Sequence, residues 1–236
     1  MHKRAIELNE KLGLTKGMAS SYGNLGLIYQ NKGDLDKAEV MHKKALEIAE
    51  KLGIPEQMAR HYGNLGIVYY ERSKLDEAEE MYVKSLQISK AQRMVRLTAN
   101  QYGNLGIVYQ TRGDLDKAEV MHKKALEIDK KLGLQEGMAS DYDNLGIFYY
   151  MKGDLDKAEE MHKKALEIDE RLDLQEGVAI SYANLGRIYK KRGDIKKAKE
   201  YWERTVELYK KIGMPHEVEK VESWLSSLSQ EGKKET

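Results

Sequence analysis

"YGNLGLIYQNKGDLDKAEVMHKKALEI", residues 22–48, is the stretch that decides the fold. Its first half places Tyr22, Leu25, Gly26 and Tyr29 three or four residues apart, which is the spacing of one buried stripe on an α-helix. Asp34, in the "NKGD" that follows, is a good N-cap for a second helix, whose apolar residues recur at helical spacing up to residue 52. The stretch therefore predicts a helical hairpin.

This hairpin pattern returns every 40 residues. "YGNLG" begins at Tyr22, Tyr62 and Tyr102, and related versions begin at Tyr142 and Tyr182. Neither helix of a hairpin can hide its apolar stripe alone, so consecutive hairpins must stack on one another. The sequence predicts an all-α solenoid of stacked antiparallel helical hairpins.

The predicted solenoid is a single domain that covers residues 1–236. Residues 1–10 align with residues 41–50, so the chain starts inside a second helix and leaves one side of it uncovered. A fragment of a longer array, an end covered by another subunit and a tolerated loose end all remain open. The predicted parts are a half hairpin at 1–13, hairpins at about 16–53, 56–93, 96–133, 136–173 and 176–213, a C-terminal capping helix at 215–230 and a polar tail at 231–236.

Composition narrows the classes of function. The chain has 40 basic and 39 acidic residues, and a formal charge of +1 gives no general attraction to nucleic acid or to an anionic membrane. No apolar run approaches the ~18 residues of a membrane-spanning helix. The absence of cysteine excludes disulfides, thiol nucleophiles and cysteine-based zinc sites. We expect a cytoplasmic protein with neither a nucleic-acid nor a membrane partner.

The run "NLG..Y...GD...A......AL.I" resembles the tetratricopeptide repeat. The forty-residue period is similar to the variety found in kinesin light chains and Pins-type adaptors. This resemblance implies a right-handed superhelix with a concave groove that binds a protein or peptide partner. The chain departs from the family pattern where His42 replaces an aromatic residue of the second helix, and where the proline after that helix is missing.

One asparagine stands in the middle of every first helix. Asparagine is a mediocre interior helix residue, so its recurrence needs a reason. One interpretation is that duplication copied an amide that bonds to a neighbouring helix. The other is a ladder of amides that pair with the backbone of an extended peptide, which is also what the resemblance implies. The ladder consists of Asn24, Asn64, Asn104, Asn144 and Asn184.

Other residues on the same helical face are expected to determine which peptide side chains the groove prefers. An apolar strip lies beside the amides, two tyrosines could hold side chains, and a basic end could receive an acidic segment or a C-terminal carboxylate. A solvated basic surface is the alternative for that end. These residues are Leu27, Ile67, Ile107 and Ile147 for the strip, Tyr70 and Tyr150, and Arg187, Lys190 and Lys191 for the basic end.

No set of residues predicts catalysis or a cofactor. His2, His42, His122 and His162 share one position of the repeat, but neighbouring repeats are on the order of 10 Å apart, too far for two such rings to share a zinc ion. We expect these rings to pack. Carboxylate pairs, such as Asp34 with Asp36 and Glu79 with Glu80, are explained by the helix macrodipole and by solubility. The sequence predicts a non-enzymatic protein without a metal or cofactor.

One join between hairpins differs from the others. "SKAQRMVRLTANQY", residues 89–102, has neither glycine nor proline, and Arg93 stands where Gly53 and Gly133 stop a helix. Tertiary packing could enforce a turn, which we favour, or one helix could run through residues 75–110 and allow two chains to exchange halves at residues 90–97.

The leading function that the sequence indicates is a scaffold that binds an extended peptide. The alternative is a self-associating spacer, a homodimer formed by such a swap or through the uncovered N-terminal helix.

Overall fold

The computed structural model describes residues 15–231, with side chains for residues 17–228. Eleven α-helices and no β-strand occupy that range, which confirms the all-α repeat fold. The predicted half hairpin at 1–13, with His2, and residues 232–236 of the predicted tail lie outside the described residues. The helices are α1 (Thr15–Asn31), α2 (Leu35–Lys51), α3 (Pro55–Glu71), α4 (Leu75–Ala91), α5 (Val95–Arg112), α6 (Leu115–Leu132), α7 (Gln135–Lys152), α8 (Leu155–Arg171), α9 (Gln175–Lys191), α10 (Ile195–Ile212) and α11 (Pro215–Glu231).

The helices group into two compact units, Met1–Ile128 and Asp129–Thr236, whose boundary falls inside α6. In unit 1, α1 packs on α2 and α3 packs on α4, and each pair contacts the first helix of the next hairpin. In unit 2, α7 packs on α8, α9 packs on α10, and α11 follows α10. First helices of consecutive hairpins also contact each other, α1 with α3, α3 with α5 and α7 with α9. A single domain over residues 1–236 stays a prediction.

Every helix-to-helix turn is built in the same way. One residue takes the left-handed conformation, and the next residue donates its backbone N–H to the carbonyl five positions earlier, as Asp114 does to Tyr109 at 2.9 Å. This is the Schellman arrangement that ends a helix and satisfies its last carbonyls. The left-handed residues recur every 20 positions: Gly33, Gly53, Ser73, Arg93, Gly113, Gly133, Gly153, Asp173, Gly193 and Gly213.

The unusual join at residues 89–102 forms this turn. Helix α4 ends at Ala91, Arg93 adopts a φ of 54°, and Met94 donates its N–H to the Ser89 carbonyl at 2.8 Å. The favoured turn is therefore confirmed, and the alternative of one helix through residues 75–110 is wrong. Packing also adds a contact across the join, because the Thr98 hydroxyl donates to Ser89 Oγ at 3.1 Å, and both side chains are buried.

Within a hairpin, the two helices cross at the glycine of the "NLG" element. A β-carbon on Gly26 would lie 2.6 Å from the His42 ring, and one on Gly66 would lie 2.5 Å from the Tyr82 ring. Only a residue without a side chain permits so close an approach. The same contact joins Gly106 to His122, Gly146 to His162 and Gly186 to Trp202.

A second contact joins each hairpin to the next, and the sequence interpretation missed it. The Arg72 guanidinium forms ion pairs with Asp36 and Glu39 of the preceding hairpin, and the Tyr69 hydroxyl donates to Glu39 at 3.0 Å. The Arg72 and Glu39 side chains are half-buried, so they are less screened than a surface pair. Asp36 and Glu79, which the sequence analysis attributed to the helix macrodipole and to solubility, therefore also hold hairpins together. The contact recurs in Arg112 with Asp76, Glu79 and Tyr109, and in Arg192 with Asp156, Glu159 and Tyr189.

The left-handed turn predicts that Arg93→Gly stabilises the protein. Arginine is strained at a positive φ, and glycine is not, although glycine also gives the unfolded chain more freedom. We expect the free energy of unfolding to rise by about 0.5–1 kcal/mol, measured by urea denaturation. Gly113→Ala, at a turn whose added methyl group would meet no atom within 4 Å, should lower it by a similar amount. An Arg93→Gly variant that is less stable than the parent chain would contradict this account.

Candidate functional site

A cavity of about 590 Å³ lies among α1, α3 and α5 of unit 1. We call it the unit 1 groove. Each of the three helices contributes one ladder asparagine and one apolar residue to its lining, the apolar residues being Leu27, Ile67 and Leu97. The structure therefore brings together Asn24, Asn64, Asn104, Leu27 and Ile67 from the predicted site.

The amides of the ladder face outward. Asn24 is exposed, while Asn64 and Asn104 are half-exposed. Within residues 15–231, no side chain of the five ladder asparagines makes a hydrogen bond to a protein group. The interpretation in which these amides bond a neighbouring helix therefore finds no support in the described part of the chain. Their donors and acceptors are open to a ligand.

The floor of the unit 1 groove contains two buried polar residues that the sequence interpretation missed. His61 and Gln101 line the groove and are 6% and 2% exposed. His61 contacts Gly23, where a β-carbon would lie 2.6 Å from the ring, and Gln101 approaches Gly63 in the same way at 3.1 Å. The signal that could have identified them is their shared position, 40 residues apart and three residues before each ladder asparagine.

The ladder residues of unit 2 have a different setting. Asn144, Asn184 and Ile147 are half-exposed. Beside them, Asp143 takes the place of the glycine found at the same position in unit 1, and its Oδ1 accepts hydrogen bonds from Ser181 Oγ at 3.2 Å and from His162 Nδ1 at 2.7 Å. In unit 2 the side chain beside the ladder is therefore part of an internal hydrogen-bond network.

The predicted tyrosines and basic residues already have partners. In unit 2, Arg187 and Lys191 lie over the Tyr150 ring, 5.0 Å and 4.5 Å from its centre, in cation–π geometry. Lys190 Nζ donates to Ser227 Oγ at 3.4 Å.

In unit 1, the Tyr70 hydroxyl hydrogen-bonds Thr111 Oγ1 at 3.2 Å. The half-exposed Ile107 and Tyr70 do not line the unit 1 groove. Arg187, Lys191 and Tyr150 thus form one cluster of unit 2, whereas Lys190 contacts α11 and Tyr70 contributes to contacts between hairpins.

The histidines at the helix crossing are packing residues. His42, His122 and His162 are at most 1% exposed, and each lies against a glycine of its partner helix. Burial lowers the pKa of His122 to about 4, because a buried imidazolium is poorly solvated. Among the described residues, no group of three or more histidine, aspartate or glutamate side chains is arranged to hold a metal ion.

Two buried carboxyl groups lie close together in unit 2. Asp129 and Asp141 are 5% and 6% exposed. Burial, and secondly the charge of Asp129, raise the pKa of Asp141 to about 8. Asp141 is therefore largely protonated at neutral pH. Burial and the neighbouring Asp143 also raise the pKa of Asp169, to about 6.

Comparison with known proteins places the sequence among repeat proteins. A family model described as tetratricopeptide repeat matches residues 17–91, 57–131 and 137–211. The search of curated proteins finds no match. Within the described range, none of the helices combines the length and the apolar character that crossing a bilayer requires.

Solved structures give the same result. BtubC (BKLC) from P. vanneervenii is similar at 27% identity and a TM-score of 0.74, over 90% of this chain and 89% of that one. A Rap protein complexed with Competence and Sporulation Factor is 22% identical, with a TM-score of 0.74, and 83% of this chain spans only 54% of that one. The nearly identical TPR-like repeats of a Podospora anserina protein described as kinesin light chain are 19% identical, with a TM-score of 0.66, over 82% and 95%. At their identities, the last two show a shared fold.

Burial of the crossing histidines predicts acid sensitivity. The folded-state pKa of His122 is about 4, below its ordinary 6.5, so its contribution to stability is complete above pH 6.5 and is lost as the pH falls toward 4. His122→Tyr, which copies the contact of Tyr82 with Gly66, should lessen the fall in unfolding free energy between pH 7 and pH 4 by on the order of 3 kcal/mol. Urea denaturation at both pH values measures it. The exposed His216→Tyr is the control, and an equal effect there would contradict the assignment.

The carboxyl pair predicts the opposite pH dependence. The folded-state pKa of Asp141, about 8, lies above the ordinary 3.8, so stability is lost as the pH rises between these values. Asp141→Asn cannot ionise, and its advantage in unfolding free energy should grow by on the order of 4 kcal/mol between pH 5 and pH 8. Denaturation at the two pH values tests this, with the exposed Glu219→Gln as the matched control. A constant difference would show that Asp141 ionises normally.

Proposed function

Because the chain belongs to the tetratricopeptide repeat family, whose repeats serve as protein-interaction scaffolds, we propose that it binds an extended segment of a protein partner along its first helices. The asparagine ladder pairs with the backbone of that segment. The protein acts without catalysis or a cofactor, and it works in the cytoplasm with neither a nucleic-acid nor a membrane partner.

The observation that carries this proposal is the set of three open amides in the unit 1 groove. A carboxamide offers a donor and an acceptor, which is what each peptide group of an extended chain requires. Asn24, Asn64 and Asn104 come from successive first helices and line one cavity. Leu27 and Ile67 border the amides with apolar surface, and apolar contacts supply binding free energy without demanding one side-chain sequence.

The proposal extends to unit 2 with a different chemistry. In unit 2, Asn144 and Asn184 belong to the ladder and Ile147 belongs to the apolar strip. In unit 1, we include Ile107 and Tyr70 in the binding surface beside the ladder. Arg187, Lys190 and Lys191 give unit 2 a basic surface around Tyr150. An acidic segment or a C-terminal carboxylate of the partner binds to this surface.

The alternative function is a self-associating spacer, and one of the two predicted ways of forming its homodimer is excluded. Exchange of halves through a continuous helix required residues 75–110 to form one rod, and the chain turns at Arg93 instead. Dimerisation through the N-terminal half hairpin concerns residues outside the described range and stays a prediction. We therefore retain the scaffold as the proposed function.

Removal of the unit 1 amides should weaken peptide binding. In the triple variant Asn24→Ala, Asn64→Ala and Asn104→Ala, each lost amide removes about one net hydrogen bond of 0.5–1.5 kcal/mol, so affinity should fall at least roughly tenfold. Fluorescence polarisation with labelled, end-blocked octapeptide pools of degenerate sequence measures the affinity.

The triple variant should keep its helical content and its melting temperature to within a few degrees, because these amides support no neighbouring helix. Asn31→Ala makes the same chemical change at the exposed end of α1, away from the groove lining, and should bind like the parent chain. Unchanged affinity of a folded triple variant would exclude the ladder as the binding device.

A further inference from the structure

One position of the repeat carries a different buried side chain from hairpin to hairpin. It lies three residues before each ladder asparagine, on the inner side of the first helix. The residues are Ser21, His61, Gln101, Asp141 and Ser181, and each is less than a tenth exposed. Since the neighbouring ladder position is always asparagine, this position is where the hairpins differ in what they place beneath a bound segment.

In unit 1, two of these residues have polar atoms that no protein group satisfies. Nδ1 of His61 and Oε1 of Gln101 are buried and have no hydrogen-bond partner within the described part of the chain. Buried polar atoms in native proteins nearly always have partners, so each such atom calls for an explanation. Both residues line the unit 1 groove.

Glycine gives the groove access to both residues. Gly23 stands directly against the His61 ring, and Gly63 stands against the Gln101 amide, so any side chain at these positions would meet the polar group beneath it. The two glycines therefore place no side chain between the groove and its floor. We call such a glycine position a window. This is a separate role from that of Gly26 and Gly66, which face the partner helix of their own hairpin.

Unit 2 shows what happens when the window is closed. Asp143 occupies the position of Gly23 and Gly63, and its Oδ1 accepts a hydrogen bond from Ser181 Oγ at 3.2 Å. Ser181, the floor residue of the following hairpin, is thus satisfied by a side chain of its own protein. Unsatisfied floor atoms are not confined to unit 1, because Oδ2 of Asp141 in unit 2 also has no hydrogen-bond partner within the described part of the chain. What belongs to unit 1 is an imidazole and a carboxamide that line one groove together.

The floor is uncharged. Burial lowers the pKa of His61 to about 4, so its ring is neutral at pH 7 and offers one donor and one acceptor. Gln101 likewise offers both. Among the described residues that line the unit 1 groove, Glu56 and Arg60 are the charged ones, and they pair with each other at 3.0 Å on an exposed edge. A carboxylate or an ammonium group of a ligand would have to leave water without finding an opposite charge.

We propose that the unit 1 groove selects peptide segments that present uncharged hydroxyl or carboxamide side chains to its floor. Serine, threonine, asparagine and glutamine can each donate and accept, so they match His61 and Gln101 in either tautomer and either amide orientation. Carboxylates can only accept, ammonium groups can only donate, and aliphatic side chains leave the floor unsatisfied. This inference rests on the proposed function, because it names the class of segment that the same groove binds.

A positional peptide library tests the selection. Each end-blocked octapeptide pool fixes one residue type at one position, and fluorescence polarisation with the full chain gives its affinity. At one position, pools with fixed serine, threonine, asparagine or glutamine should bind about tenfold tighter than pools with fixed aspartate, lysine or leucine, as expected for one or two net hydrogen bonds. Equal affinities, or a preference for charged pools, would overturn the inference.

Variants of the floor separate the inference from the proposed function. Gln101→Met keeps the side-chain volume and removes the polar atoms. The preference for the serine, threonine, asparagine and glutamine pools should therefore fall below about twofold, and the leucine pools should bind more tightly. Gln101→Leu also removes the donor and the acceptor, and it serves if the methionine variant does not fold. Ser181→Ala, the matched change in unit 2, should leave the preference unchanged.

The outcomes distinguish the two claims. A preference that survives in folded Gln101→Met overturns the inference alone, provided that the asparagine triple variant still loses binding. Failure of every pool to bind the parent chain overturns both the proposed function and the inference. Loss of the preference in Gln101→Met, with overall binding retained, supports both.

Discussion

The structure depends on the close crossing of two helices at the glycine of "NLG". At that point a ring from the second helix lies against the backbone of the first, and no side chain separates them. Successive residues of an α-helix are rotated by about 100°, so the asparagine two residues before the glycine points almost to the opposite side. The element that packs the hairpin therefore also presents the amide outward. This geometric link explains how one short motif can serve both the core and the groove.

A second constraint divides the chain into helices of equal length. Between residues 15 and 231, ten turns at intervals of 20 residues each require one left-handed residue, and glycine supplies most of these residues. Ser73, Arg93 and Asp173 show that the packing of the flanking helices imposes the turn even on residues that resist it. Since a left-handed non-glycine residue costs on the order of 1–2 kcal/mol, the contacts of neighbouring hairpins must outweigh that strain.

Much of the fold could be predicted from the sequence because its determinants are local. Helical spacing, the Asp34-type caps and the glycine stops lie within one period, and they predict the helical hairpin from which the all-α repeat fold is built. At Arg93 the local signal was absent, and only the intact forty-residue spacing indicated the turn. The ion pairs of Arg72 with Asp36 and Glu39 join residues more than 30 positions apart, so no local pattern revealed them. The grouping of helices into two units is likewise a property of tertiary contacts.

The candidate site could be predicted only in part, for a related physical reason. An outward amide such as Asn64 follows from helix geometry and from the packing face, both of which the sequence contains. What lies beneath a neighbouring glycine depends on a residue of the next hairpin, as His61 lies against Gly23 and Gln101 against Gly63. The repeat therefore separates two kinds of recognition. Its constant amides suit the constant backbone of a peptide, while the floor differs between hairpins and can read side chains. Asp143 and Ser181 show that one substitution at a window turns such a floor into part of the protein's own interior.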